Sequence, residues 1–264
     1  VRYELIQEER EVDLQLAGRN CIVTGASRGI GRAIAHGLAT EGANVAICAR
    51  DAATLEEAAA SLRATGVTIF AQPCDVADAA ALTAFLGASR QALGGVDVLV
   101  SNPSGMAVGP GLDAWKATID IDLMAAVHAC NHVTPWMAEA GGGSILLVSS
   151  ISGLEVSPSE DYAYTTVKAA LIAYAKKLAV LLAPQHIRVN SIAPGAIDFP
   201  GGFWDQMRQH QPELYSAVRG LIPSGRYGTP AEVADVATYL VSPRASWVTG
   251  ECVVADGGQH KAMR

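Results

Sequence analysis

A chain of 264 residues, half of them hydrophobic and 17% charged, can bury the core of one large α/β domain or two small ones. Its net charge of −7, with the basic residues scattered, argues against a nucleic-acid surface and lends no support to docking on an anionic membrane. No apolar run approaches transmembrane length and the acidic start is unlike a signal peptide; five cysteines set far apart have no metal-ligand spacing, so reduced thiols in a cytoplasmic protein are expected.

Residues 1–15 read as a polar, acidic extension, and 16–264 as one domain. A strand over Asn20–Thr24 is followed by a glycine-rich turn and a helix ending near Thr40. The alternation continues with a strand at Asn44–Cys48, a helix at Ala53–Ala64, a strand at Thr68–Ala71 and a helix at Ala79–Leu93. Val96–Ser101 reads as a strand and Trp115–Ala140 as one long helix. Ser144–Ser150 is the fifth strand, Tyr162–Leu182 a helix rich in Ala, Leu and Lys, and Ile187–Ile192 and Cys252–Ala255 the last strands. Short apolar strands alternating with helices predict a doubly wound Rossmann fold, a seven-stranded parallel sheet with helices on both faces. The stretch 198–228 is too long for an ordinary connection, and insertions at the carboxyl ends of strands are where such folds choose substrates.

Gly25, Gly29 and Gly31 fall between the first strand and first helix, where glycine permits close backbone approach to a pyrophosphate at a helix amino terminus. The second strand ends at Ala49-Arg50, without the acidic residue that would bond an adenosine ribose in NAD. Arg50 and Arg28 would instead meet a 2′-phosphate, which favours NADP (NADPH) with NAD as the alternative.

Ser149 and Ser150 end the fifth strand, and Tyr164 and Lys168 stand four apart, sharing one helix face. A cation beside a phenol favours the phenolate, and a serine hydroxyl could bond the oxygen that the phenol protonates. The set suits acid/base chemistry on a carbonyl or an alcohol. Tyr162 competes for the role of Tyr164, but four residues after it stands Thr166 rather than lysine.

Together, Thr24-Gly25-x-x-x-Gly29-x-Gly31, Asn102, Ser150, Tyr164-x-x-x-Lys168, Asn190-Ser191-Ile192-Ala193-Pro194-Gly195 and Asp256-Gly257-Gly258 resemble the classical short-chain dehydrogenase/reductase family over roughly residues 16–258. The closest flavour is that of the 3-oxoacyl-carrier-protein reductase-like members. The resemblance implies that Gly25, Ser27, Arg28, Gly29, Ile30 and Gly31 hold the cofactor phosphates, that Asp75 with Val76 meets the adenine, and that Asn102 lies along the ribose side. It implies that Pro194, Gly195 and Ile197 contact the nicotinamide. Tyr164 would be the acid/base, Lys168 would bind the nicotinamide ribose and tune Tyr164, and Ser150 would polarise the substrate carbonyl. No metal is called for, and the six histidines show no ligand spacing.

The chain departs from the family pattern at four points. Asp122 stands where the family has an asparagine that holds a proton-relay water; an aspartate there could pair with Lys168. The turn Ser101-Asn102-Pro103-Ser104-Gly105 is one residue longer than usual, Phe199 replaces a threonine, and Ser150 precedes Tyr164 by fourteen residues rather than thirteen.

The expected activity is NADP-dependent reduction of a ketone to a secondary alcohol, on a 3-oxoacyl thioester or on a ketone, polyketide, sugar or steroid-like alcohol of specialised metabolism. The rival is a catalytically silent NADP-binding sensor. Trp204, Met207 and Tyr215 read as a pocket wall or as packing anchors. An acyl carrier protein is a possible partner, for which Arg208 and Arg219 would supply a local basic dock. A homotetramer is expected, with Ala125, Ala126, Ala129, Ala169, Ala170, Ala173 and Ala175 suited either to subunit contact or to packing on the chain's own sheet.

Overall fold

The computed structural model describes residues 12–107 and 109–263; most of the extension expected at 1–15 lies outside them. Its frame is a seven-stranded parallel sheet: β1 (Asn20–Thr24), β2 (Asn44–Ala49), β3 (Ile69–Pro73), β4 (Val98–Ser101), β5 (Gly143–Val148), β6 (Ile187–Pro194) and β7 (Cys252–Ala255). The strand order is β3-β2-β1-β4-β5-β6-β7. The central strands are apolar on both sides because both are covered, and Cys21, Ile22 and Val23 of β1 are wholly buried. One face is covered by α1 (Gly29–Thr40), α2 (Ala52–Arg63) and α9 (Pro230–Val241), the other by α3 (Ala79–Leu93), α5 (Ala125–Glu139) and α6 (Tyr162–Leu182). No disulfide forms among the described residues, and all five cysteines are buried.

The direction of winding reverses between β1 and β4, so the carboxyl ends of β1, β4, β5 and β6 open onto one crevice. Gly25 follows β1, Asn102 follows β4, Ser150 follows β5 and Pro194 ends β6. Residues remote in sequence meet there.

Three elements differ from the sequence reading. The helix expected at Trp115–Ala140 begins earlier, as α4 (Leu112–Thr118), and passes through a π-helical turn at Ile119–Met124 before α5. Such a turn adds a residue to the helical ladder and re-aims the side chains within it, here Asp122. α9 is absent from the sequence reading, although Thr229 and Glu232 form a reciprocal capping box around Pro230. The 198–228 insertion contains two helices, α7 (Phe203–His210) and α8 (Pro212–Leu221).

The seven alanines divide, with Ala170 half-buried between the two groups. Ala125, Ala126, Ala129 and Ala175 are buried in the chain's own core, whereas Ala169 and Ala173 face outward on α6.

Candidate active site

α6 carries a buried stripe of Ala163, Val167, Leu171, Ala175 and Ala179, which seats it on the sheet. Lys168 is drawn in beside this stripe, and its side chain is 2% exposed. Its Nζ lies 3.0 Å from Asp122 Oδ1, donates to Val148 O at 3.1 Å and stands 5.5 Å from the centre of the Tyr164 ring. Burial pulls the Lys168 pKa down, but the charges of Asp122 and Tyr164 and the Asp122 contact outweigh it, and the net direction is upward. Lys168 is held as a cation.

The other Asp122 oxygen, Oδ2, accepts the Gly105 N–H at 2.7 Å. One carboxylate therefore ties the lysine to the lengthened turn after β4.

The two serines separate cleanly. Ser149 Oγ donates to Lys168 O at 2.7 Å, which clamps α6 to the end of β5. Ser150 Oγ accepts the Ser152 N–H at 3.1 Å, so its own proton is not committed to that bond. Tyr164 is half-buried on the face of Lys168, whereas Tyr162 is 53% exposed.

At the other end of the crevice, α1 starts without a side-chain cap and with no acidic residue in its first turn. Its first N–H groups and dipole are therefore available to an anion. A Cβ on Gly31 would collide with Gly25 O and with Asn102 Nδ2, and Asn102 Nδ2 donates to Gly25 O at 2.8 Å. An unsubstituted turn before an uncapped, acid-free helix suits a dinucleotide pyrophosphate. Ser27 and Ile30 are half-buried at the same turn.

The Cys74 N–H donates to Ala49 O at 2.9 Å, which sets Asp75 and buried Val76 beside the end of β2. Asp75 Oδ1 accepts the Ala77 N–H at 3.1 Å, and Arg50 is exposed. Arg28, by contrast, donates from Nη1 to Gly201 O at 3.1 Å, reaching the insertion. Phe199 lies on the same path: a Cβ on Gly29 would stand 2.5 Å from its ring. The start of the insertion is thus fastened over the glycine turn.

The structure bears on two expectations for the insertion: of the two readings for its aromatic residues it favours packing, and it pairs one of the two arginines. Trp204 and Tyr215 pack on Tyr227, with ring centres 5.1 Å and 4.4 Å apart, so they act as packing anchors around buried Ala196 and Ile222. Arg208 is engaged by Asp205 and by Asp198 at 3.5 Å, so it is not a free cation for docking an acidic partner.

Pro194 ends β6, and Gly195 and Ile197 follow in the turn after it. Among the described residues the amides of Gly195, Ala196 and Asp198 each have a protein acceptor, and Ile197 N–H has none. No helix of the described residues is long and apolar enough to cross a membrane.

A family model described as Enoyl-(Acyl carrier protein) reductase matches residues 25–260. The chain is 36% identical over 248 residues to isoepoxydon dehydrogenase of Penicillium expansum, covering 93% of this chain and 96% of that one. L-sorbose reductase from Gluconobacter frateurii, solved with NADPH and L-sorbose, has a TM-score of 0.89 at 32% identity, over 96% of this chain and 100% of that one. A 7α-hydroxysteroid dehydrogenase complexed with NADH and 7-oxo glycochenodeoxycholic acid has a TM-score of 0.88 at 31% identity, over 96% of this chain and 98% of that one.

Proposed function

The chain belongs to the short-chain dehydrogenase/reductase family and is an oxidoreductase of alcohols or ketones; from that premise we propose that it interconverts a ketone and a secondary alcohol with NADP(H), using Tyr164 as the acid/base. The observation that carries this reading is the buried Lys168 cation beside the Tyr164 ring, one turn along α6, with Ser150 at the adjacent strand end.

When bound, the cofactor supplies or accepts the hydride. In the reducing direction the Tyr164 hydroxyl delivers a proton to the substrate oxygen as charge builds on it. Ser150 Oγ donates a hydrogen bond to the same oxygen, which stabilises the developing alkoxide. Lys168 keeps a positive charge beside the phenol and offers its ammonium to the nicotinamide ribose, while Asp122 holds that ammonium in place. Gly25, Ser27, Gly29, Ile30 and Gly31 line the pyrophosphate turn, with Asp75 and Val76 at the adenine, Asn102 at the ribose side and Pro194, Gly195 and Ile197 at the nicotinamide. Arg50 and Arg28 would meet a 2′-phosphate, Arg28 by giving up its bond to Gly201 O.

For the substrate we favour a small oxygenated ketone over an acyl-carrier-protein thioester. Arg208 is already paired, the net charge is −7, and the relatives named above include an isoepoxydon dehydrogenase and an L-sorbose reductase. We read the assembly as a homotetramer with the outward Ala169 and Ala173 face of α6 between subunits; a monomeric mass by light scattering at micromolar concentration would remove that reading.

The deciding experiment follows NADPH oxidation with cyclic hydroxyketones, keto-sugars and a short 3-oxoacyl thioester, beside a Tyr164→Phe control. Turnover of the small ketones that vanishes in the control supports the proposal. Turnover of the thioester alone moves the substrate to acyl chains, and NADPH binding without turnover in either direction turns the reading to a sensor.

A further inference from the structure

The segment after β7 reaches back into the crevice. Gly195 N–H donates to Ala255 O at 3.0 Å, and Ala196 N–H donates to the side chain of Gln259, at Oε1, over 2.9 Å. The contact is tight: a Cβ on Gly195 would stand 2.7 Å from Asp256 Cβ and 2.9 Å from Gln259 Oε1.

Gln259 is itself held in place. The Asp256 carboxylate accepts the Gly258 N–H at 2.9 Å and the His260 N–H at 2.6 Å, closing a turn on either side of Gln259. Two residues on, Lys261 N–H donates to Glu155 Oε2 at 3.1 Å, which fastens the segment to the stretch after Ser150.

The peptide between Gly195 and Ala196 therefore takes its orientation from a side chain more than sixty positions away in sequence. On the far side Gly228 holds both flanks of Ile197: its N–H donates to Ala196 O at 3.0 Å and its carbonyl accepts the Asp198 N–H at 2.9 Å. Between these two anchors sits Ile197, whose N–H is the one left without a protein acceptor among the described residues of the turn.

We propose that Gln259 is a positioning residue for the nicotinamide end of the cofactor site: it fixes the Gly195–Ala196 peptide through the Ala196 amide and, with Gly228 holding the carbonyl side of Ala196, sets the turn from which the Ile197 N–H faces the cofactor. The inference rests on the dinucleotide reading given above. Gln259 does not touch the cofactor; it acts through Ala196. Removing its acceptor leaves a buried N–H unsatisfied, and the turn must relax to find another partner.

The test is calorimetric binding to the full chain of NADPH and of 2′-phospho-ADP-ribose, which lacks the nicotinamide. Gln259→Met keeps the length and loses the acceptor; Gln259→Glu keeps an acceptor oxygen. The Met variant is expected to bind NADPH about tenfold more weakly, with the nicotinamide-free fragment unchanged and the Glu variant close to the parent. In turnover, KM for NADPH rises and KM for the ketone does not. Equal weakening of both ligands would mark a general loosening and overturn the proposal. So would unchanged NADPH binding in the Met variant, or failure of Glu to restore it. The same comparison with NADH and ADP-ribose keeps the result independent of the 2′-phosphate. A parent protein that binds no dinucleotide or fragment removes the cofactor reading, and this inference with it.

Discussion

Asp122 and Lys168 form an ion pair 3.0 Å apart, with side-chain exposures of 0% and 2%, and Asp122 Oδ1 has no other donor among the described residues. The π-helical turn at Ile119–Met124 aims the carboxylate inward. Removing one partner of a buried pair strands the other, so Asp122→Ala is expected to lower stability by about 3–5 kcal/mol, read by thermal or urea unfolding.

The pH dependence has a defined sign. With Asp122 present, the Lys168 pKa in the folded protein is raised above its ordinary 10.5, so the pair's contribution is complete below pH 10.5 and drains as pH climbs through the raised value. In Asp122→Asn the pairing charge is gone and burial dominates, which depresses Lys168. Stability should then rise with pH towards 10.5. From pH 7 to 10.5 the unfolding midpoint should rise for the variant and stay level for the parent, which should fall only above pH 10.5.

Tyr164→Phe should lower kcat by about 10²–10⁴-fold while NADPH still binds, as measured by fluorescence titration. Tyr162→Phe removes a hydroxyl from an exposed ring that has Thr166, not lysine, four residues on, and turnover should stay within about twofold of the parent.

The two serines should split by type of loss. Ser150→Ala removes a donor to the reacting oxygen, and kcat should fall by about 10²-fold with little change in melting temperature. Ser149→Ala deletes the 2.7 Å bond to Lys168 O, and should cost about 1 kcal/mol of stability. Parallel kinetics and calorimetry separate the two.

Cofactor choice should turn on the end of β2. Ala49→Asp provides the ribose acceptor that this strand lacks, and Arg50→Ala removes a phosphate partner. Each is expected to shift the NADPH-to-NADH ratio of kcat/KM by about tenfold towards NADH. A parent enzyme that already prefers NADH would reverse the assignment.

The order of the strands, the glycine turn, and the placing of Tyr164 and Lys168 on one helix face were legible because each is local. A strand's apolar run, a turn's glycines and an i, i+4 pair on a helix are written within a few residues. α9 was not read, although Thr229, Pro230 and Glu232 spell its capping box and Val233, Ala234, Ala237, Leu240 and Val241 form its buried face. The π turn at Ile119–Met124, packed against α6, was not read either, although the pairing of Asp122 with Lys168 that it carries was expected.

What the sequence by itself determined is a doubly wound frame, a glycine turn after β1, and a tyrosine and a lysine one turn apart on α6. What only the tertiary structure decided is which groups are engaged with one another. Ser149 supports α6 while Ser150 keeps its proton, Arg208 is neutralised by Asp198 and Asp205, and Phe199 covers Gly29. Gln259 orients a turn sixty-three residues before it. The reason is physical. Hydrogen bonds and ion pairs between distant segments depend on strand order and register, which converge at the carboxyl edge of the sheet and leave no local trace in the chain.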